Sequence, residues 1–156
     1  SSSGAEGLPG GEADVLARMS ARLPEDATRE EIIANSVETQ RLISSPGFMP
    51  TEAELRRYIE VGVDRAHCPD GTARQMAAVF GDGSRADRLA SVTVPFLVIH
   101  GTDDPLLPLA GGEDTAKRVP GAELEVVQGM GHDITERNGS IVAERLIAFA
   151  RVHSPI

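Results

Sequence analysis

The sequence predicts an α/β protein with an incomplete sheet: a helical segment first, then strand, helix, strand and helix of a parallel sheet. Three observations carry this expectation. Helix-start signals and apolar positions at helical spacing run from Glu12 to about Leu89. Two apolar, β-branched runs follow, "VTVPFLVIH" from Val92 and "AELEVV" from Ala122. A helical stretch separates them, so the strands are joined by a crossover and lie parallel. Two strands do not make a stable sheet by themselves, which leaves the architecture short of neighbours. The change of character divides the chain into residues 1–90, a helical region with an N-terminal loop, and residues 91–156, a strand-bearing portion of a core.

Taken in order, "SSSGAEGLPGG" (Ser1 to Gly11) is small, polar and rich in Gly and Pro, a loop composition. "TREE" (Thr28 to Glu31) and "TEAE" (Thr51 to Glu54) fit the capping box, in which a Thr oxygen and a Glu three residues on satisfy free N–H groups. After Thr51, the residues Leu55, Ile59, Val63 and Ala66 fall on one apolar stripe. "SSPGFMP" (Ser44 to Pro50) reads as a turn between two helices. A short helix is expected over Thr72 to Phe80, ended by "GDGS". The run through His100 has the continuous apolar character of a strand buried on both faces, with Pro95 near its start, where a lost N–H is tolerated. A helix over Gly112 to Val119 stops at "PG", the second strand spans Ala122 to Val127, and the last helix spans Ile141 to Val152. That helix carries Val142, Leu146, Phe149 and Ala150 on one face.

Bulk composition excludes classes of function. The 156 residues fit one domain. Twenty-four acidic against 15 basic residues, a net charge of -9, argue against partners that need a basic surface: no nucleic acid, no anionic membrane. The single cysteine, Cys68, rules out an internal disulfide, and no paired Cys/His spacing suggests a metal. Nothing asks for an organic cofactor. The longest apolar run falls far short of a membrane span and no leader pattern is visible, so a soluble, cytoplasmic protein is the expectation.

Open α/β sheets collect functional groups just beyond the carboxyl ends of their strands. Asp103 and Asp104 follow the first strand, and His132 follows the second within "GMGHD", where Gly129 and Gly131 permit a sharp bend. Adjacent parallel strands run about 4.8 Å apart, so loops leaving the same ends can bring a carboxylate to an imidazole. A carboxylate so placed fixes the imidazole tautomer and stabilises the imidazolium, while the other ring nitrogen takes a proton from a nucleophile. Asp-Asp-Pro alone is ordinary turn composition. His132 downstream is what favours chemistry.

"VPFLVIHGTDDPLLP…GAELEVVQGMGHD" resembles the C-terminal portion of the α/β-hydrolase family. The motif after that family's penultimate core strand, G-x-x-D-x-x-x-P, falls on Gly101, Asp104 and Pro108, and its G-x-G-H turn on Gly129 to His132. The separation of 28 positions between Asp104 and His132 is close to the family's usual one. The resemblance selects Asp104 over Asp103 as the acid and makes His132 the general base. It likens residues 1–90 to the helical cap inserted before the acid-bearing strand, and the branch it suggests is the bacterial ester hydrolases that include aclacinomycin methylesterase.

In that family the nucleophile rides on G-x-S-x-G, upstream of both cap and acid, and no stretch of this sequence has that spacing. The resemblance therefore implies part of a serine hydrolase for carboxylic esters or related acyl bonds. Asp104 and His132 belong to its Ser-His-Asp triad, its substrate is a small-molecule ester, and an N-terminal hydrolase segment before Ser1 carries the nucleophile. Dehalogenase and epoxide hydrolase relatives generally place Asp where the Ser stands. The chain alone is expected to be inactive. The alternative is a non-catalytic hydrolase-fold module that binds a ligand or a protein.

For pocket walls the sequence offers Leu106 and Leu107, whose loop faces the site, and Phe48, Met49, Tyr58 and Phe80 from the helical region, each equally able to pack. His100 reads as structural or pocket-lining, His67 beside Cys68 as a helix end without catalytic use, Met130 as packing in its turn, and His153 as a solvated tail. The apolar strand from Val94 to His100 is expected to leave an unpaired edge through which the chain can dimerise.

Overall fold

A computed structural model describes residues 2–153. Five helices come first: α1 (Ala13–Ser20), α2 (Arg29–Ile43), α3 (Glu52–Ala66), α4 (Pro69–Asp82) and α5 (Ala86–Leu89), with a 3-10 turn at Pro46–Phe48 between α2 and α3. Then follow β1 (Leu97–Gly101), α6 (Leu109–Arg118), β2 (Glu123–Val127) and α7 (Gly139–His153).

Both capping boxes form. The Thr28 and Thr51 hydroxyls accept from the Glu31 and Glu54 backbone N–H groups, and each Glu carboxylate accepts back from the Thr N–H at 2.7 Å. The Glu54 carboxyl is pulled down to about 2 by the Thr51 backbone N–H, the Thr51 hydroxyl and the Arg137 guanidinium. Helices α2 and α3 pack through Ile33, Val37 and Leu55, with Ile59 and Val63 against them. Ala66 was expected on this stripe but is exposed. The pair runs antiparallel, with Arg29 at the start of α2 bonded to Asp64 at 2.7 Å, so Ala66 lies beyond the end of its neighbour. Helix α4 is longer than the expected Thr72 to Phe80. Pro69 opens it from the first turn, where a missing N–H costs nothing.

The strands are parallel, Leu97 opposite Glu123 and Gly101 opposite Val127. The strand is shorter than the apolar run from Val92 suggested. Pairing with β2 starts at Phe96, whose carbonyl accepts from Glu123 N–H at 2.9 Å. Pro95 has no N–H to offer, and Val94 is 64% exposed. The open edge expected over Val94 to His100 is therefore confined to the five residues of β1. Helix α6 begins at Leu109, three residues before the expected start, with Pro108 as its N-cap. Under β2, Val127, Met130 and Val142 form a small core that Phe48 and Ile99 complete.

Of the expected apolar face of α7, only Val142 is buried; Leu146 is 50% exposed. His153 is exposed, as expected, but has partners at the end of α7. Its Nε2 lies 3.1 Å from Glu123 Oε1 and its ring rests against Phe149. Among the described residues, no helix is long and apolar enough to cross a membrane.

Candidate active site

The equal register of β1 and β2 brings their two exit loops to the same edge. The ladder continues past the strands, with Thr102 N–H donating to Val127 C=O at 3.1 Å and Asp103 N–H to Met130 C=O at 3.0 Å. This zippering sets the next residue, Asp104, opposite His132. Asp104 Oδ1 accepts from the N–H groups of Leu106 and Leu107, at 3.0 and 2.8 Å. Asp104 Oδ2 lies 2.8 Å from His132 Nδ1. A carboxylate has only acceptors to offer, so Nδ1 carries the proton and Nε2 is left with the lone pair. Asp104 is 5% exposed at its side chain and His132 31%.

Burial pushes the Asp104 carboxyl up, but the His132 ring and the Leu107 and Leu106 N–H groups outweigh it and hold the group below its ordinary value. A folded-state value lower than the unfolded one makes Asp104 stabilising above the unfolded value, near about 3.9. That contribution is lost as pH falls through the lower folded value. The gap in thermal midpoint between the protein and Asp104→Asn should shrink as pH falls below about pH 4. A gap that does not shrink below about pH 4 would contradict this placement.

His100 braces the same loop. It is 2% exposed, and its Nε2–H donates to the Leu107 carbonyl at 2.7 Å. Its Nε2 is 3.6 Å from Asp104 Oδ2, and its Nδ1 is buried without a partner among the described residues. Asp103 points away from this pair: it is exposed and accepts from the Thr102 hydroxyl.

The His132 turn depends on its glycines for two different reasons. Gly129 has φ +73°, a left-handed conformation that glycine adopts without strain. Gly131 has an ordinary φ, and its lack of a side chain makes room: a Cβ there would sit 2.7 Å from the carbonyl oxygens of Ile43 and Ser44. The chain that leaves α2 crosses directly over this turn. His132 N–H donates to Ile43 C=O at 2.9 Å, and Gly47 N–H to Gly129 C=O at 2.8 Å.

An open recess of about 390 Å³ adjoins Asp104, lined by Leu42, Ser44, Pro46, Thr102 and Asp103 among others. The sequence-derived wall residues stand in several places. Leu106 and Leu107 are partly buried and meet Asp104 through their backbone. Phe48 packs into the core under β2, and Met49 is 41% exposed beside it in sequence. Tyr58 lines a separate recess between α2 and α3 with Gln40, Ile59 and His67, and Phe80 is 76% exposed on α4. Cys68 and His67 are both exposed, and no group of three metal-binding side chains converges among the described residues.

Three residues at this site escape a reading by motif: Ser45, Asp133 and Asn138. All are buried, and the Asp133 carboxylate accepts from both the Ser45 N–H and the Ser45 hydroxyl. "SSPG" looks like a turn and nothing else. Its pairing with "GMGHD" is a contact across 88 positions that one sequence does not reveal.

Known proteins resemble this arrangement. A family of α/β-hydrolases described as TAP-like protein matches residues 66–151. A rhodomycin D methylesterase from Streptomyces peucetius is 30% identical over 105 residues, covering 67% of this chain and 35% of that protein. A non-heme haloperoxidase from Rhodococcus erythropolis is 34% identical over 71 residues, 45% of this chain and 26% of its own. An esterase from Exiguobacterium antarcticum superposes with a TM-score of 0.65 at 21% identity, over 88% of this chain and 47% of that one. The chain thus spans between about a quarter and a third of the length of these curated relatives and about half that of the solved structure.

Proposed function

This chain belongs to the α/β-hydrolase family, and we propose that it carries the acid and base of a serine hydrolase acting on carboxylic esters or related acyl bonds. The observation that carries the proposal is the 2.8 Å bond from His132 Nδ1 to Asp104 Oδ2, beyond the ends of two registered parallel strands. In this reading Asp104 holds the His132 tautomer. The Nε2 of His132 takes the proton of a Ser hydroxyl as that oxygen attacks the ester carbonyl, and returns it to the leaving alcohol. Helices α1 to α5 are the cap. The Ser comes from a segment outside these 156 residues, on the G-x-S-x-G elbow that the family uses. His100 supports Asp104 through the Leu107 carbonyl and takes no part in proton transfer.

The protein translated from its natural reading frame is the object to test. It should turn over p-nitrophenyl acetate and simple methyl esters, and a fluorophosphonate probe should label one serine in a G-x-S-x-G segment. No turnover together with no labelling would sink the proposal. An aspartate at the elbow would redirect it to dehalogenase or epoxide chemistry, and an elbow with no nucleophile to a binding module.

A further inference from the structure

We infer that Asp133 is a positioning residue, which sets the His132 base by fastening its turn to the end of α2 through Ser45. The inference rests on the proposed roles of Asp104 and His132. It begins from what holds the turn beyond Met130, where its backbone bonds to the β1 exit loop end. Its residues include two glycines, and the single bond from Asp104 reaches the ring and not the backbone. Proton transfer needs the base within a fraction of an ångström of its place, and misplacement by about 1 Å can cost a hundredfold in rate.

The segment from Ile43 to Gly47 supplies the missing restraint. Gly47 N–H donates to Gly129 C=O and His132 N–H to Ile43 C=O, so the segment brackets the turn at both ends. Between them sits Ser45, fully buried and with its hydroxyl fully engaged. It donates to Asp133 Oδ1 at 2.7 Å and accepts from Gly131 N–H at 2.9 Å and from Asn138 Nδ2–H at 3.1 Å. Asp133 Oδ1 accepts a second bond from Ser45 N–H at 3.0 Å, and Gln40 Nε2 approaches Oδ2 at 3.4 Å. Asn138 also donates to the Asp133 carbonyl at 3.0 Å, closing the loop behind His132. Asp133 follows His132 directly, so an anchored Asp133 fixes the backbone from which the imidazole projects. Asp133 Oδ1 is taken up by the two Ser45 bonds. Any shift of the end of α2 is thereby passed to the base.

The test uses the protein from its natural reading frame, uniformly labelled at histidine with nitrogen-15. Two signals are read: kcat and KM on p-nitrophenyl acetate, and the low-field proton of His132 Nδ1–H bonded to Asp104. Ser45→Ala and Asp133→Ala should lower kcat by about 10- to 100-fold while KM stays within about twofold, and should broaden or shift the low-field proton. Asp133→Asn keeps an acceptor where Oδ1 stands, so it should recover most of the rate and the resonance. Folded Ser45→Ala with the rate and resonance of the parent would overturn the inference. So would Asp133→Asn as impaired as Asp133→Ala, which would give Asp133 a charge role in place of an anchor. If Asp133→Ala fails to fold, Ser45→Ala decides alone. Failure of the underlying reading looks different: turnover is absent, or is unaffected by His132→Ala, whereas the resonance still reports on the anchor.

Discussion

Asp104→Asn in the complete hydrolase is expected to lower kcat by about 10⁴-fold with the fold retained, a loss of the size seen when a triad acid becomes an amide. The local hydrogen bonds say why so conservative a change should be so costly. Asp104 Oδ1 is held by two backbone donors, the N–H groups of Leu106 and Leu107. An asparagine must turn its oxygen to those donors, since its NH₂ group in that place would face two N–H groups and leave both buried donors unpaired. The amide nitrogen then points at His132 Nδ1. Two donors cannot share one bond, so the ring must give up its Nδ1 proton and carry it on Nε2. That nitrogen is the one required to accept a proton from the nucleophile. The variant therefore traps the wrong tautomer and removes the negative charge that stabilises the imidazolium. Kinetics on p-nitrophenyl acetate, with KM measured alongside, check this; a kcat within tenfold of the parent would remove Asp104 from the triad.

The sequence made the acid–histidine pair legible because its signal is local twice over. Each residue sits in a short motif at the end of an apolar run, and a crossover of ordinary length lies between them. Parallel register then does the rest: Gly101 opposite Val127 brings the two exit loops together without any feature that must be guessed. The helix starts at Thr28 and Thr51 were legible for the same reason, since a capping box is complete within four residues. What a single sequence does not show is whatever depends on a neighbour. The apolar run begins at Val92, but a strand's length is set by what pairs with it, and pairing here starts at Phe96. Composition makes Tyr58 and Phe80 candidates for pocket walls, and the exposure of each depends on how the helices are laid against the sheet. The Ser45–Asp133 anchor joins two unremarkable turns, and its logic lies in a backbone approach that only three dimensions show.

That approach has its most severe expression at Gly101. This residue ends β1, and a Cβ built on it would meet the Met130 carbonyl oxygen at 1.9 Å and the Met130 carbonyl carbon at 2.5 Å. Both atoms are backbone, so no side chain can rotate away. Relief requires β1 and the His132 turn to part by more than 1 Å, roughly the distance to an ordinary van der Waals contact, across the ladder that holds Asp103 to Met130. Gly101→Ala should therefore destabilise the protein by more than about 4 kcal/mol, in the range reserved for severe overpacking. Gly62→Ala is the internal control. It lies within α3 with nothing inside 4 Å of the added methyl, and should stabilise by about 0.5–1 kcal/mol through helix propensity. Urea melts of the two variants beside the parent give both numbers. A Gly101→Ala melt within about 1 kcal/mol of the parent would mean that the Met130 carbonyl does not lie over the end of β1. The placement of His132, two residues further on, would fall with it. If the large loss is found and some folded protein survives, its residual turnover should drop further than its folded fraction does. The same displacement that relieves the methyl draws the imidazole away from Asp104.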